Sequence, residues 1–463
     1  MDPFASYNTH LKLPDRFRWV FCQLEALRDC LPASVRRTLE ELPETLDETY
    51  ERILKEIKKP NRSLAQRVLQ CLAVAIRPLR VAELAEVLAV DFDDSEGIPR
   101  LNANWRWEDQ EQALLIACSS LIAIVQIGFS RVVQYSHFSV KEFLTSSRLS
   151  TCSGEVSAYR IDLENAHTIL AQACLGVLLQ TDDEIDGNTS KDHPLSRYAA
   201  EHWTTHAQFR GVSSRLQKGM VYLFNPDKPH FRVWLTLNDI DTIPDKETTF
   251  YMFIRHDTYA ATPLYYAALC GFHDLVEHLI SKYPQDVNAD GGYFMRPIIA
   301  ALAGEHFQTA DLLRRSGANP HVHGQYNTIP LHSAANFENF EVVKKLLEYD
   351  ADIDVRDRDG WTPLYWASSG DHFKSDSVLR LLLERGADVN ARAYHNGFTP
   401  LHCASENGAL EVVRLLLEHG ADIEAVSVDG ETALQVVGQR IHPKVDQGRR
   451  DEITKLLVEH GAK

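Results

Sequence analysis

The sequence predicts a mostly α chain in two parts: a small mixed domain with a helical bridge, then an α-solenoid of stacked helix pairs. Three observations carry that prediction. A proline-led motif recurs at near-constant spacing through the C-terminal half. Apolar residues at helical spacing, broken by prolines, fill the first 90 residues. Two β-branched runs then flank Gly128, which is a hairpin signal.

In the N-terminal half, Phe17, Val20, Phe21, Leu24, Leu27 and Leu31 fall on one helical face that Pro32 ends. Tyr50, Ile53, Leu54 and Ile57 mark a helix over 47–57, and further helices are expected over 64–76, 80–90 and 107–119. Strands over 121–127 and 131–135 follow, with a turn at Gly128, and then a helix over 140–149. Three helices before a two-stranded hairpin is the element order of a winged helix, expected here over 60–150, with residues 1–59 as a helical segment leading into it. Residues 151–256 read as a helical bridge, with helices over 162–180, 195–208 and 213–224. Phe231, Val233, Trp234 and Leu235 are expected to dock that bridge onto the first repeat.

The repeats occupy 257–463. Ala261-Thr-Pro-Leu-Tyr-Tyr-Ala-Ala268, Ile329-Pro-Leu-His-Ser-Ala-Ala335, Trp361-Thr-Pro-Leu-Tyr-Trp-Ala367 and Phe398-Thr-Pro-Leu-His-Cys-Ala404 align directly. Arg296-Pro-Ile-Ile-Ala-Ala301 and Glu431-Thr-Ala-Leu434 are degenerate copies. Prolines 263, 297, 330, 363 and 400 are spaced by 34, 33, 33 and 37 residues. Thr can cap a helix whose first position is Pro, where the missing N–H costs nothing. Small residues let a neighbouring helix approach, and a Leu-rich second helix ends at a glycine suited to a left-handed cap. The unit closely resembles the ankyrin repeat, in six copies. Extra residues near 372–375 and 439–449 are expected to protrude from the stack.

A second resemblance rests on longer motifs. Phe17-Arg-Trp-Val-Phe-Cys-Gln-Leu-Glu-Ala-Leu-Arg28, Leu42-Pro-Glu-Thr-Leu-Asp-Glu-Thr-Tyr-Glu-Arg-Ile-Leu54, Arg77-Pro-Leu79 with Glu83-Leu84, and Ser136-His-Phe-Ser-Val-Lys-Glu-Phe-Leu144 are similar to the segment that follows the nucleotide-binding module in fungal NACHT–ankyrin proteins. Those are signalling ATPases of the NLR-like, or STAND, class. The resemblance implies a sensor or regulatory role. The sequence contains no G-x-x-x-x-G-K-[ST], the loop that cradles phosphates, so nucleotide hydrolysis does not carry over. The NACHT module would lie upstream of Phe17. Either the protein is a short natural relative or its reading frame begins late.

Composition narrows the function further. Net charge is −17, shared between the halves as 28 basic against 35 acidic residues over 1–250 and 20 against 30 over 251–463. Such a surface repels phosphate backbones, so no nucleic-acid partner is expected. The predicted third helix opens Trp107-Glu-Asp-Gln-Glu-Gln, without the basic donors that read a groove. Ala113 to Phe129 is too short and too interrupted to span a bilayer and reads as a helix running into a strand. No secretory signal opens the chain, and no two of the eight cysteines form a C-x-x-C pair. The expected location is the cytosol or the nucleus.

No catalytic residue, cofactor or metal site is expected. Ser136, His137 and Ser139 lack a nucleophile elbow, and Ser139 reads as a helix N-cap. His321 and His323 lack an identifiable third metal ligand. His332 and His402 read as hydrogen bonds between repeats. The expected functional surface takes a protein partner through the repeat fingers and the concave face. Its candidate residues are Arg358, Trp361, Tyr394, His395 and Phe398 at the finger tips, and Glu406 and Asn407 at the end of a first helix. For Trp361 and Phe398 a purely structural role competes with binding.

Overall fold

The computed structural model describes residues 45–92, 98–118, 120–151, 154–180, 193–238, 240, 261–320, 330–369, 376–439, 445 and 447–462. The chain divides into two units, 1–240 and 241–463. The expected helix over 17–31, the linker 182–192, His321 and His323, and the insertion near 372–375 lie outside the described residues, as does most of the one near 439–449.

The N-terminal unit begins with α1 (Leu46–Glu56), whose N-cap Thr45 exchanges reciprocal hydrogen bonds with Glu48. α2 (Arg62–Val74), β1 (Leu79–Arg80), α3 (Val81–Leu88) and α4 (Gln110–Cys118) follow, with a short antiparallel pair of β2 (Val90–Asp91) and β3 (Arg100–Leu101) between the last two helices. The wing is β4 (Ile122–Ile127) and β5 (Ser130–Tyr135), paired from Ile122–Tyr135 to Ile127–Ser130. Gly128, at φ 57°, provides the left-handed residue that a two-residue hairpin turn needs. β1 adds to the other edge of β5, giving the order β1-β5-β4. That third strand is two residues long and carries no periodicity of its own, which is why the sequence showed only a hairpin. α5 (Phe138–Thr145) completes the module.

Several details of this unit differ from the sequence expectation. α5 is capped by His137, whose Nδ1 accepts from Ser139 N–H at 3.3 Å; Ser139 is already helical. The bridge packs directly against the winged helix. α6 (Leu163–Leu178) packs on α2 and on α7 (Ser196–Ala207). The predicted helix over 213–224 is two short ones, α8 (Val212–Arg215) and α9 (Gln217–Leu223). α10 (His230–Leu237) turns Phe231, Val233 and Trp234 into this unit's own core. Trp234 stacks edge-on to Trp203 at 5.3 Å, and its indole N–H donates to Ala200 O. Phe231, Val233 and Trp234 therefore contribute to the N-terminal unit's own core, while Leu235 is half-buried.

Among the described residues the C-terminal unit shows six helix pairs: α11 (Pro263–Leu269) with α12 (His273–Lys282), α13 (Pro297–Ala303) with α14 (Phe307–Arg315), α15 (Pro330–Asn336) with α16 (Phe340–Glu348), α17 (Pro363–Ser369) with α18 (Ser377–Glu384), α19 (Pro400–Glu406) with α20 (Leu410–Glu418), and α21 (Ala433–Gln439) with α22 (Gln447–Glu459). Thr262, Thr362 and Thr399 accept hydrogen bonds from the N–H three residues on, as the Thr-Pro reading requires. First helices stack α11 on α13, and α15, α17, α19 and α21 in series. The fully buried Ala267, Ala300, Ala335 and Ala404 permit that approach. Leu275, Leu313, Leu346, Leu382, Leu416 and Leu457 of the second helices close the core behind them. Gly317, Gly386, Gly420 and Gly461 adopt positive φ just past those helices.

Candidate protein-interaction surface

The fingers are the extended turns between one second helix and the next first helix. The finger that leads into α17 is pinned from within. Asp357 Oδ1 accepts from Asp359 N–H at 3.0 Å and Trp361 N–H at 2.9 Å, while its Oδ2 accepts from the Trp366 indole at 2.9 Å. One carboxylate therefore sets the turn and fastens it to α17.

Neighbouring fingers are then laced together. Tyr394 N–H donates to Asp359 O at 2.7 Å, and one repeat later Val428 N–H donates to Asn396 O at 2.8 Å. Arg356 reaches across to Arg392 O at 2.7 Å while holding Gly360 O of its own finger at 3.0 Å, and Arg392 repeats the reach to Val426 O. Deeper in the stack, Asn390 accepts from Asp422 N–H at 2.7 Å, as Asn288 does from Asn319 N–H at 2.8 Å and Asp354 from Asp388 N–H at 2.9 Å. Arg356 and Arg392 escaped the sequence reading although they recur 36 residues apart; aligning finger with finger, instead of proline with proline, exposes them.

On this scaffold the seven candidate residues separate. Arg358 is exposed, Tyr394 is 60% exposed, and the His395 side chain is 79% exposed, 3.4 Å from Asp359 Oδ1. The Tyr394 ring has a second duty. It lies over Gly360, at φ 79°, so closely that a Cβ there would come within 2.5 Å of the ring. The Arg356 guanidinium stands 5.6 Å from its centroid. Phe398, at 3% exposed, belongs to an interior cluster with Tyr365, Cys403 and Val436, and Trp361 packs against that cluster, stacked on Tyr365 at 5.2 Å. Glu406 and Asn407 are half-buried, and the Asn407 amide donates to Cys403 Sγ at 3.6 Å. The structure adds Val426 and Val428, exposed on the next finger, with Val428 over Gly397. Their alternation with Ser427 resembled ordinary finger sequence and gave no signal.

The histidines after Pro-Leu span repeats as expected. His332 Nε2 lies 2.8 Å from Trp361 O and His402 Nε2 3.0 Å from Glu431 O. A carbonyl accepts only, so each Nε2 carries the proton. His402 Nδ1 faces Thr399 Oγ1 at 2.8 Å, and burial holds the imidazole below its ordinary pKa.

Among the described residues, the cysteine thiols and the Ser139 hydroxyl are buried. Burial pushes the Cys71, Cys118, Cys270 and Cys403 thiols up to about 12. The Ser139 hydroxyl is held between Tyr50 Oη at 2.8 Å and His137 Nδ1 at 2.5 Å, below the surface. Among the described residues no cluster of three His, Cys, Asp or Glu could hold a metal, and no helix is long and apolar enough to cross a membrane.

Matches to family models accord with this architecture. Residues 259–289 match the ankyrin repeat family, and 298–393 and 374–463 match the family of ankyrin repeats in three copies. Residues 50–155 match the winged helix domain of GPI inositol-deacylase. Azaphilone pigments biosynthesis cluster protein L of Monascus ruber is 29% identical over 281 residues, covering 57% of this chain and 57% of that protein. The chain thus spans little more than half the length of that relative. Protein fem-1 homolog A of Danio rerio is 35% identical over 95 residues, 18% of this chain and 15% of that protein. The ankyrin repeat domain of Bcl-3, a member of the IkappaB family, aligns at 28% identity over 44% of this chain and 87% of that one, with a TM-score of 0.38. The chain carries a winged helix of the GPI-inositol-deacylase type followed by ankyrin repeats, and the repeats indicate protein–protein interaction.

Proposed function

We propose that this protein is a non-enzymatic recognition protein whose ankyrin fingers take a protein partner, and that it serves as the sensor or regulatory half of an NLR-like signalling system. One observation carries the reading. Arg358, Tyr394, His395 and Val428 are displayed on adjacent fingers by a scaffold that Arg356, Arg392 and Asp357 hold rigid. Rigid aromatic and guanidinium groups on a preorganised surface are what binding hot spots require. Glu406 and Asn407 extend the surface toward the first helices.

The test is capture of partners by the full chain against an Arg358→Ala/His395→Ala/Val428→Ala variant, which spares the Tyr394 contact with Gly360. The variant should keep its folded stability and lose about 2 kcal/mol of binding, on the order of 30-fold. A folded variant with undiminished capture sinks the proposed surface.

A second reading is favoured by the winged-helix match at 50–155: the chain is the regulatory portion of a nucleotide-switch ATPase whose catalytic module lies upstream. The two readings separate by genomic sequence, since an in-frame P-loop segment before Met1 supports the second alone. Titration of this chain with ATP should show no binding, and a micromolar affinity overturns the non-enzymatic reading.

A further inference from the structure

A file of hydrogen-bonding groups crosses the core of the N-terminal unit from the β1 lead-in to α6. Ile76 N–H donates to Tyr198 Oη at 3.2 Å, Tyr198 Oη lies 2.9 Å from His206 Nε2, and His206 Nδ1 lies 2.9 Å from His167 Nδ1. His206 is 0% exposed, whereas His167, stacked on Phe209 at 4.2 Å, reaches the half-buried margin. Tyr198 and His206 belong to α7 and His167 to α6, so the last contact ties the two helices together.

Two nitrogens at that separation are bonded only when one carries a proton and the other a lone pair. Two neutral rings satisfy this in either order. A proton added at the outer nitrogen of His167 leaves the contact whole. A second, on His206, sets N–H against N–H and places two cations in contact.

The surroundings supply that second charge with no free counter-ion among the described groups facing it. From the β1 lead-in, Arg77 stacks over Tyr198 at 4.9 Å, and both Glu83 oxygens, on α3, are taken by Arg77 at 2.8 Å. On α7 itself, His202 lies beside Glu201, which Arg197 already holds at 2.9 Å. Lys141 of α5 bears on His167, and Cys174 of α6 and Cys71 of α2 flank Tyr198. Burial first, and His167 and His202 next, push His206 down to about 3, while burial chiefly holds His167 below the ordinary value of 6.5.

We propose that Tyr198, His206 and His167 form an acid-sensitive latch that holds α7 on α6 at neutral pH and releases it on acidification. In the closed form His206 is neutral and His167 takes a proton less readily than in the open form, so the open form binds more protons. The latch is at full strength above about pH 6.5 and weakens as pH falls below it.

Hydrogen exchange of the full chain, compared at about pH 7.5 and about pH 5 after correction for intrinsic rates, tests this. Peptides from 163–178 and 196–207 should lose protection on the order of tenfold per pH unit for each ring that titrates. A His167→Gln/His206→Gln variant, in which His202 is retained, should lose most of that dependence. Equal protection at both pH values, or a dependence unchanged in the variant, overturns the proposal. Should the variant not fold, imidazole 15N spectra of the unaltered chain decide. One ring proton shared between the two Nδ1 atoms at neutral pH supports the latch, and its absence refutes it.

Discussion

At the residue scale, the repeats show what happens when a consensus position is filled by another amino acid. Gly317, Gly386 and Gly420 end their second helices at positive φ, but Asp350 stands at the same place in the third repeat with φ 63°. A residue with a Cβ is strained there, and the Asp350–Arg314 ion pair at 3.0 Å recovers little because the Asp side chain is largely in water. Asp350→Gly should therefore raise unfolding free energy by about 0.5–1 kcal/mol in a urea titration. His402 makes the opposite case. Its ring joins Thr399 to the following repeat's Glu431 O, and His402→Ala should cost about 1–3 kcal/mol because buried partners are left unpaired. Its depressed pKa means that the unfolded chain binds the proton more readily. That contribution is complete above about pH 6.5 and declines as pH falls below it, which thermal melts across pH 5–8 would show.

At the element scale, the N-terminal unit depends on two glutamates that helical periodicity alone assigns to the core without a reason. Glu83 receives Arg77 at 2.8 Å and Arg80 N–H at 2.7 Å. Glu86 receives Arg106 at 2.5 Å and Leu195 N–H at 2.6 Å, and so fastens α3 to the start of α7 across more than a hundred residues of chain. Breaking a buried pair from one side leaves the other charge stranded, so Glu86→Ala should destabilise this unit by about 3 kcal/mol by chemical denaturation. Glu86→Gln, which retains an acceptor, should cost less. These elements were legible in outline because most of the helices carry an apolar stripe, although α4 leaves Leu115 and Ile116 exposed. β1 and the break at Leu216 were not, since a two-residue strand and a helix interruption have no period to detect. The same reasoning applies at the fingers. Tip residues could be named from position, but whether a ring faced water or a neighbour was decided by the adjacent finger, as with Phe398 and Tyr394.

At the scale of the whole molecule, a stack of near-neighbour contacts should respond to damage locally and then along its length. Leu382, fully buried in α18, packs midway through the array, and Leu382→Ala should cost about 2–5 kcal/mol. Hydrogen exchange should show protection lost first in the fourth repeat and then in the third and fifth, with the N-terminal unit unaffected in its own helices. What the sequence by itself determined was the repeating unit, its number and the helix-rich module before it, because Thr-Pro starts, glycine stops and apolar spacing act within a few residues of one another. What only the tertiary structure decided was the pairing of groups distant along the chain: Glu86 with Leu195, His206 with His167, Tyr394 with Gly360, and Trp234 with the core of its own unit. Periodicity tells which face of an element avoids water; the partner that covers that face, and therefore whether a side chain braces the fold or meets another protein, is set by three-dimensional neighbours.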